Sequence, residues 1–249
     1  MKIIISPAKK MKQYKTSKNL STPAFLNDAI YIGNFLKTLT KEEISKSFKI
    51  KGKLLDDTMN LINEFDVNKA NSPALLTYDG IQYKYLDAKT LSDDELNYLN
   101  SKLSILSAIY GVLRPFDAIT FYRLEMQAEF KNQEMPSMYS YWANKIHMYL
   151  YENNESILNL ASLEYSKVLK TYLTKENILI DVYFYELENG KLVEKGVYAK
   201  MMRGLMVRYI AKNKIDSLEE LKKFNELNYK YSKSESNETK LVFIKQKEI

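Results

Sequence analysis

Arg123 and Glu125, in the segment Tyr122-Arg-Leu-Glu-Met126, set a guanidinium two positions from a carboxylate. On a strand such residues share a face, so the pair is either a structural ion bridge or, in a cleft, an anion clamp beside an acid/base group. Asn159, Ser162, Glu164, Tyr165 and Lys167 follow the apolar stretch that begins at Ser156. They would lie at the C-terminal edge of a buried strand, where α/β sheets tend to bind ligands. Ser6 and Lys9, after the apolar run Ile3-Ile4-Ile5, hold a comparable position. Wound as a helix at about 100° per residue, Tyr198 to Lys214 places Met202, Leu205, Met206, Tyr209 and Ile210 on one side. Lys200, Arg203, Arg208 and Lys212 fall on the other, with Gly204 among them. An interior glycine costs a helix about 1 kcal/mol against alanine, which points either to tight helix packing or to close approach of the backbone to a ligand or another segment. Arg203, beside that glycine, is the leading anion-binding candidate because its fork can grip a phosphate or carboxylate at two points.

Composition removes several kinds of chemistry. The 249 residues contain no cysteine and one histidine, which excludes disulfides, thiolate zinc sites, iron–sulfur clusters and cysteine nucleophiles within this chain. His147, in the helical pattern YWANKIHMYLY, reads as a packing or surface residue. No cofactor is expected, and any metal site would be built from oxygen ligands alone. The net charge of +6 is unevenly spread: residues 1–27 carry six lysines and no acid, and residues 196–215 carry five basic residues and no acid. Segregation of this kind suits two regions that share an anionic partner, or else a solvated lysine loop and one basic helix face. No run is long enough to span a bilayer, where about 20 apolar residues are needed, and no leader pattern opens the chain. A cytoplasmic protein without a membrane partner is expected, with a monomer favoured.

The elements that must position these residues are legible in outline. Lys2 to Ile5 reads as a short buried strand stopped by Ser-Pro. Helices follow through residue 65. Thr40/Glu43, Ser92/Glu95 and Ser217/Glu220 are helix-opening capping boxes, and Leu96, Leu99, Leu103 and Leu106 share one face of the second of these helices. Further strands are expected at Ser156 to Leu160, Asn177 to Leu187, Lys191 to Tyr198 and Thr239 to Lys245, the middle two joined by a primed turn at Asn189-Gly190. Strands scattered among helices, one hairpin included, imply a mixed sheet in an α+β domain rather than a regular doubly wound fold. Leu106 to Asp117 reads as a helix that runs into Gly111 and leaves through Arg114-Pro115. Such a turn is either a glycine cap or a helix–hairpin–helix-like loop whose amides hold phosphate.

ISPAK (Ile5–Lys9), LSAIYGVLRPFD (Leu106–Asp117), YRLEM (Tyr122–Met126), NLASLEYSK (Asn159–Lys167) and YAKMMRG (Tyr198–Gly204) occur in order over nearly the whole chain. Together they closely resemble the bacterial YaaA peroxide-stress protein family. That resemblance implies a single domain over residues 1–249, with a barrel-like mixed β core wrapped by helices, a positively charged cleft and a helix–hairpin–helix-like element associated with DNA binding. It also implies a part in surviving hydrogen peroxide by limiting free iron and the DNA damage it causes. Carried over by position, the cleft set is Ser6, Lys9, Tyr110, Gly111, Arg114, Arg123, Glu125, Asn159, Ser162, Glu164, Tyr165, Lys167, Lys200 and Arg203. Two departures stand out: Ile81 replaces the acid usual after Gly80, although Tyr83 fits, and Met201-Met202 replaces Lys-Ala, which trims the basic face.

Three functions follow as expectations. In the first, the cleft binds duplex or distorted DNA largely through phosphates; about six such contacts would give a log–log salt slope near −5. In the second, it is the active site of an enzyme for a phosphorylated or nucleobase-type substrate, with Glu125 or Glu164 as acid/base and Arg114, Arg123 or Arg203 as clamp. Direct iron sequestration is disfavoured by the shortage of soft and imidazole ligands.

Overall fold

The computed structural model describes residues 1–246. Eight strands form one sheet: β1 (Lys2–Ile5), β2 (Leu103–Ser107), β3 (Gly111–Leu113), β4 (Ile157–Leu160), β5 (Leu179–Glu188), β6 (Lys191–Val193), β7 (Tyr229–Tyr231) and β8 (Lys240–Lys245). Across the sheet they run β7-β8-β5-β4-β1-β2-β3, with β6 paired to β5 off this path. The five inner strands β8, β5, β4, β1 and β2 are mutually parallel, while β7, β3 and β6 are antiparallel additions. Ile3, Ile4 and Ile5 are at most 1% exposed. A continuous apolar run fits a central parallel strand covered on both faces, where alternation would leave polar groups inside.

The expected barrel-like core is not formed. The sheet is open, with its two ends at β7 and β3. In chain order its parallel strands read 2-1-3-4-5, the arrangement of doubly wound sheets, so the parallel part is more regular than the scattered strand pattern implied. The crossovers carry helices α1 (Leu26–Thr38), α2 (Lys41–Phe48), α3 (Gly52–Glu64), α4 (Ile81–Leu86), α5 (Asp93–Lys102), α6 (Leu163–Lys170) and α7 (Gly196–Asn213). One buried apolar cluster extends from Ile3 in β1 to Phe243 in β8.

The capping boxes at Thr40 and Ser92 form as read, and Ser217 accepts from the Glu220 amide. At α5 the Glu95 amide donates to Ser92 Oγ at 3.3 Å and the Ser92 amide to Glu95 Oε2 at 2.7 Å. Ser92→Ala is therefore expected to lower stability by about 1 kcal/mol, a fall in Tm of about 2–4 °C that a thermal melt would register.

Three local expectations are corrected. First, α5 ends at Lys102, and Leu103 and Leu106 lie in β2; a short apolar run cannot be told from a buried helix by periodicity alone, and here pairing with β1 decides. Second, no helix runs into Gly111. β2 and β3 form a hairpin with Ser107 opposite Gly111, and every residue from 103 to 113 is buried. Gly111 has φ +65°, and a Cβ there would stand 2.8 Å from the Trp142 ring. The turn is sealed into the core: the Tyr110 amide donates to Ser107 Oγ and Trp142 Nε1 to the Ala108 carbonyl. It is neither helix–hairpin–helix-like nor open to a phosphate. Third, the strand expected over Lys191 to Tyr198 stops at Val193, and α7 has begun by Gly196. The Asn189-Gly190 turn has positive φ at both residues (48° and 77°), as a type I′ hairpin requires.

Candidate functional site

In a 2-1-3-4-5 sheet the crossovers leave the first and third strands in opposite directions, and a crevice opens at their C-terminal ends. Those strands are β1 and β4, and the residues that follow them are Ser6 and Ser162. The Ser162 amide donates to Ser6 Oγ at 2.8 Å, and the two hydroxyls are 3.1 Å apart, tying the strand ends together. Below them, buried Asn159 donates through Nδ2 to Asp181 of β5 at 2.7 Å and accepts the Ala161 amide at 2.9 Å. Lys170 of α6 reaches the same Asp181 carboxylate at 2.7 Å. Asn159 thus shapes the exit of β4 from inside the protein.

A cavity of about 440 Å³ occupies this crevice. Its floor is made by Ser6 and Ser162, one wall by α4 with Gln82 and Tyr83, another by the segment Tyr122–Glu125, and the remainder by Glu164, Lys200 and Arg203. The Tyr122–Glu125 segment is irregular rather than the strand expected, yet it is held firmly: Tyr122 Oη lies 2.7 Å from both Tyr78 Oη and Ser107 Oγ. Burial pushes the Tyr122 hydroxyl up to about 12, keeping it protonated. Tyr83 Oη donates to the Ser6 carbonyl at 2.9 Å, pinning α4 to the end of β1. Behind α4 lies α7, brought so close at Gly204 that a Cβ would meet the Gln82 carbonyl oxygen at 2.2 Å. The glycine serves packing between two helices. Arg208 reinforces it by donating to the carbonyls of Leu86 and Asp87.

Charges in the pocket fall into two groups. Glu125 takes up Arg123 Nη2 on Oε1 at 3.0 Å and Lys9 Nζ on Oε2 at 2.9 Å, with Gln127 Nε2 also on Oε2 at 3.3 Å. Arg203, its side chain 12% exposed, has one ion-pair contact, Glu194 Oε1 at 3.3 Å. Desolvation works against the Arg203 charge, while Glu194, Tyr183 and Asp181 support it. Glu164, at the start of α6, is pushed above the ordinary carboxylate range, first by burial and then by the neighbouring charge of Glu125. Four residues of the lining each carry a buried polar atom without a protein partner among the described residues: Gln82 Nε2, Arg123 Nε, Glu164 Oε1 and Arg203 Nε. Buried polar groups are almost always satisfied, and four unmet ones on the residues of one lining make this cavity the candidate site.

Of the residues singled out from sequence, Ser6, Lys9, Arg123, Glu125, Ser162, Glu164, Tyr165, Lys200 and Arg203 meet on this lining. Lys9 and Arg203, from the two basic segments, therefore share one concavity. Tyr110, Gly111, Arg114, Asn159 and Lys167 do not line it. Tyr110 is fully buried in the core; Arg114 is bonded to Asp117 and the Thr22 carbonyl; Lys167 lies over the Tyr139 ring on the surface. The N-terminal lysines also disperse: Lys9 and Lys10 reach the pocket, whereas Lys12 pairs with Asp79 and Lys18 with Asp93. Gln82 and Lys10 went unremarked as pocket residues in the sequence; Gly80 and Tyr83 were the available signal for that stretch. His147 Nε2 donates to Asn177 Oδ1, 2.7 Å away, in a packing role.

These features define an α/β protein with a cation-lined pocket at the switch point of a mainly parallel sheet. Comparison with known sequences agrees on the particular group. A family model described as "Peroxide stress protein YaaA" matches residues 1–235. The chain is 41% identical over 246 residues to a UPF0246 protein of Lachnoclostridium phytofermentans, covering 98% of this chain and 96% of that one. A UPF0246 protein of Desulfitobacterium hafniense is 41% identical over 248 residues, with 98% of each chain covered. One from Clostridioides difficile is 38% identical over 247 residues, covering 99% of this chain and 100% of that one. The chain belongs to the peroxide stress protein YaaA family. Among the described residues, no helix is long and apolar enough to cross a membrane.

Proposed function

We propose that this protein serves the peroxide-stress response by binding a phosphate-bearing compound in the switch-point pocket, acting in the cytoplasm as a single domain. The observation that carries the reading is the set of lining residues with an orphaned buried polar atom, two of them arginines. A cavity of about 440 Å³ suits a small molecule. Arg203 is the clamp, being largely buried with one ion-pair contact, and Lys200 adds charge at the rim. Arg123 is already half committed to Glu125. Equilibrium dialysis against inorganic phosphate and ribose 5-phosphate tests this. Arg203→Met, which keeps the aliphatic stem, is expected to weaken ribose 5-phosphate binding about 10- to 100-fold, the worth of a charge-assisted hydrogen bond. Equal binding by wild type and variant would remove Arg203 from the role and the reading with it.

DNA binding is the second reading, favoured by the exposed lysines Lys9, Lys10, Lys84 and Lys200 around the pocket mouth. With about four phosphates engaged, the log–log salt slope on duplex DNA would be about −3.6. Any effect on iron-dependent DNA damage would then follow from the nucleic acid or the small ligand, not from an iron site of the protein.

A further inference from the structure

Not every lining residue with an orphaned atom suits a phosphate. Glu164 Oε1 is a carboxyl oxygen, and beside an anionic ligand it would repel unless protonated. Gln82 Nε2 is a neutral donor on a residue 7% exposed. Glu125 cannot stand in for Glu164, since Arg123, Lys9 and Gln127 already occupy both its oxygens. The hydroxyls of Tyr83 and Tyr122 are likewise committed, to the Ser6 carbonyl and to Tyr78 and Ser107, so these residues offer a ligand their rings. Flat aromatic walls, a carboxyl and an amide are the complement of an uncharged heterocycle with hydrogen-bonding edges.

We propose that the ligand is a nucleotide, its phosphate engaged by Arg203 and its base edge received by the Glu164 carboxyl as proton donor and by the Gln82 amide. This rests on the pocket being a phosphate site and adds the other end of the ligand. The nucleotide is either free or an unstacked unit of a nucleic-acid strand; the recognition chemistry is the same. The groups that set the Glu164 proton are Glu125 across the pocket, which raises its affinity for the proton, and Lys9 with the Met126 and Gln127 amides, which lower it, while burial dominates. Tyr139 from the helix Met138–Trp142 donates to the Glu164 carbonyl and Tyr165 follows it on α6; neither supplies a charge while protonated.

Calorimetric titrations between pH 5 and pH 8.5 provide the test, using AMP, GMP, CMP and UMP, with ribose 5-phosphate as the probe that lacks a base. Wild type is expected to bind at least one monophosphate ten-fold or more tighter than ribose 5-phosphate at low pH, with the advantage fading as Glu164 ionises. In Glu164→Gln the advantage persists at high pH, because the amide donates at every pH. If all five probes bind alike and Glu164→Gln changes nothing, the nucleotide proposal fails while the phosphate reading stands; if none binds, both fail. A hexanucleotide of single-stranded DNA separates the sources. Tighter binding than the monophosphate assigns a strand unit, and weaker binding assigns the free nucleotide. Folding of the variant is checked by its melt. The folded protein holds the Glu164 proton to higher pH than the unfolded chain does, so ionisation erodes stability as pH rises from the ordinary carboxylate value through the raised one. Glu164→Gln removes that loss and is expected to melt no lower than wild type at pH 8.

Discussion

Gly204→Val is expected to lower stability by about 3 kcal/mol or more, a fall in Tm of about 6–12 °C for a chain of this size. The substitution puts a side chain where two helices already touch. A Cβ at this position stands 2.2 Å from the Gln82 carbonyl oxygen and 3.0 Å from the Leu86 amide nitrogen. Both are backbone atoms of α4, so no side-chain rotation relieves the contact and the helices must part. Helix propensity alone predicts the opposite for Gly204→Ala, a gain of about 1 kcal/mol. The alanine variant is therefore the sharper test, and a melt above wild type would show that α4 and α7 separate easily. Because α4 carries Gln82 and Tyr83 and α7 carries Lys200 and Arg203, either variant is also expected to lose ligand affinity beyond what stability explains.

Glu125→Ala is expected to cost about 3 kcal/mol, as removal of one partner leaves a buried charge uncompensated. Arg123 is the residue stranded: its side chain is 14% exposed and its Nε already lacks a partner. Lys9, 60% exposed, loses little by returning to water. Urea unfolding measures the cost, and the double variant Arg123→Met/Glu125→Leu is expected to recover much of it by deleting both charges. Folded Glu125→Ala should bind ribose 5-phosphate more tightly than wild type, since a negative charge has left the pocket. An unchanged urea midpoint would mean that Arg123 reaches solvent without help.

Part of the geometry of the candidate site was legible in the sequence. Arg123 and Glu125 do pair, Ser6 and Ser162 do follow the strands that carry them, and Arg203 stands beside a glycine that marks a close helix contact. Gly111 shows where such reading stops. A glycine between apolar residues has one local meaning, a bend, and two possible settings. Only the burial of residues 103–113 under Trp142 separates a sealed hairpin from an exposed phosphate loop. Asn159 and Tyr110 were polar or semi-polar residues within conspicuous motifs, and each turned inward to brace the pocket's surroundings instead of lining it.

Local sequence determined what local forces decide: caps at Thr40 and Ser92, the primed turn at Asn189-Gly190 and the absence of thiol chemistry. Those outcomes depend on groups within a few positions of one another. Strand order, the open sheet and the union of Lys9 with Arg203 depend on contacts between segments distant in the chain, such as Ile3 of β1 with Leu158 of β4, where each segment has several acceptable partners. Tertiary packing chose among them by covering β1 on both faces, and the crevice left beside that strand became the pocket.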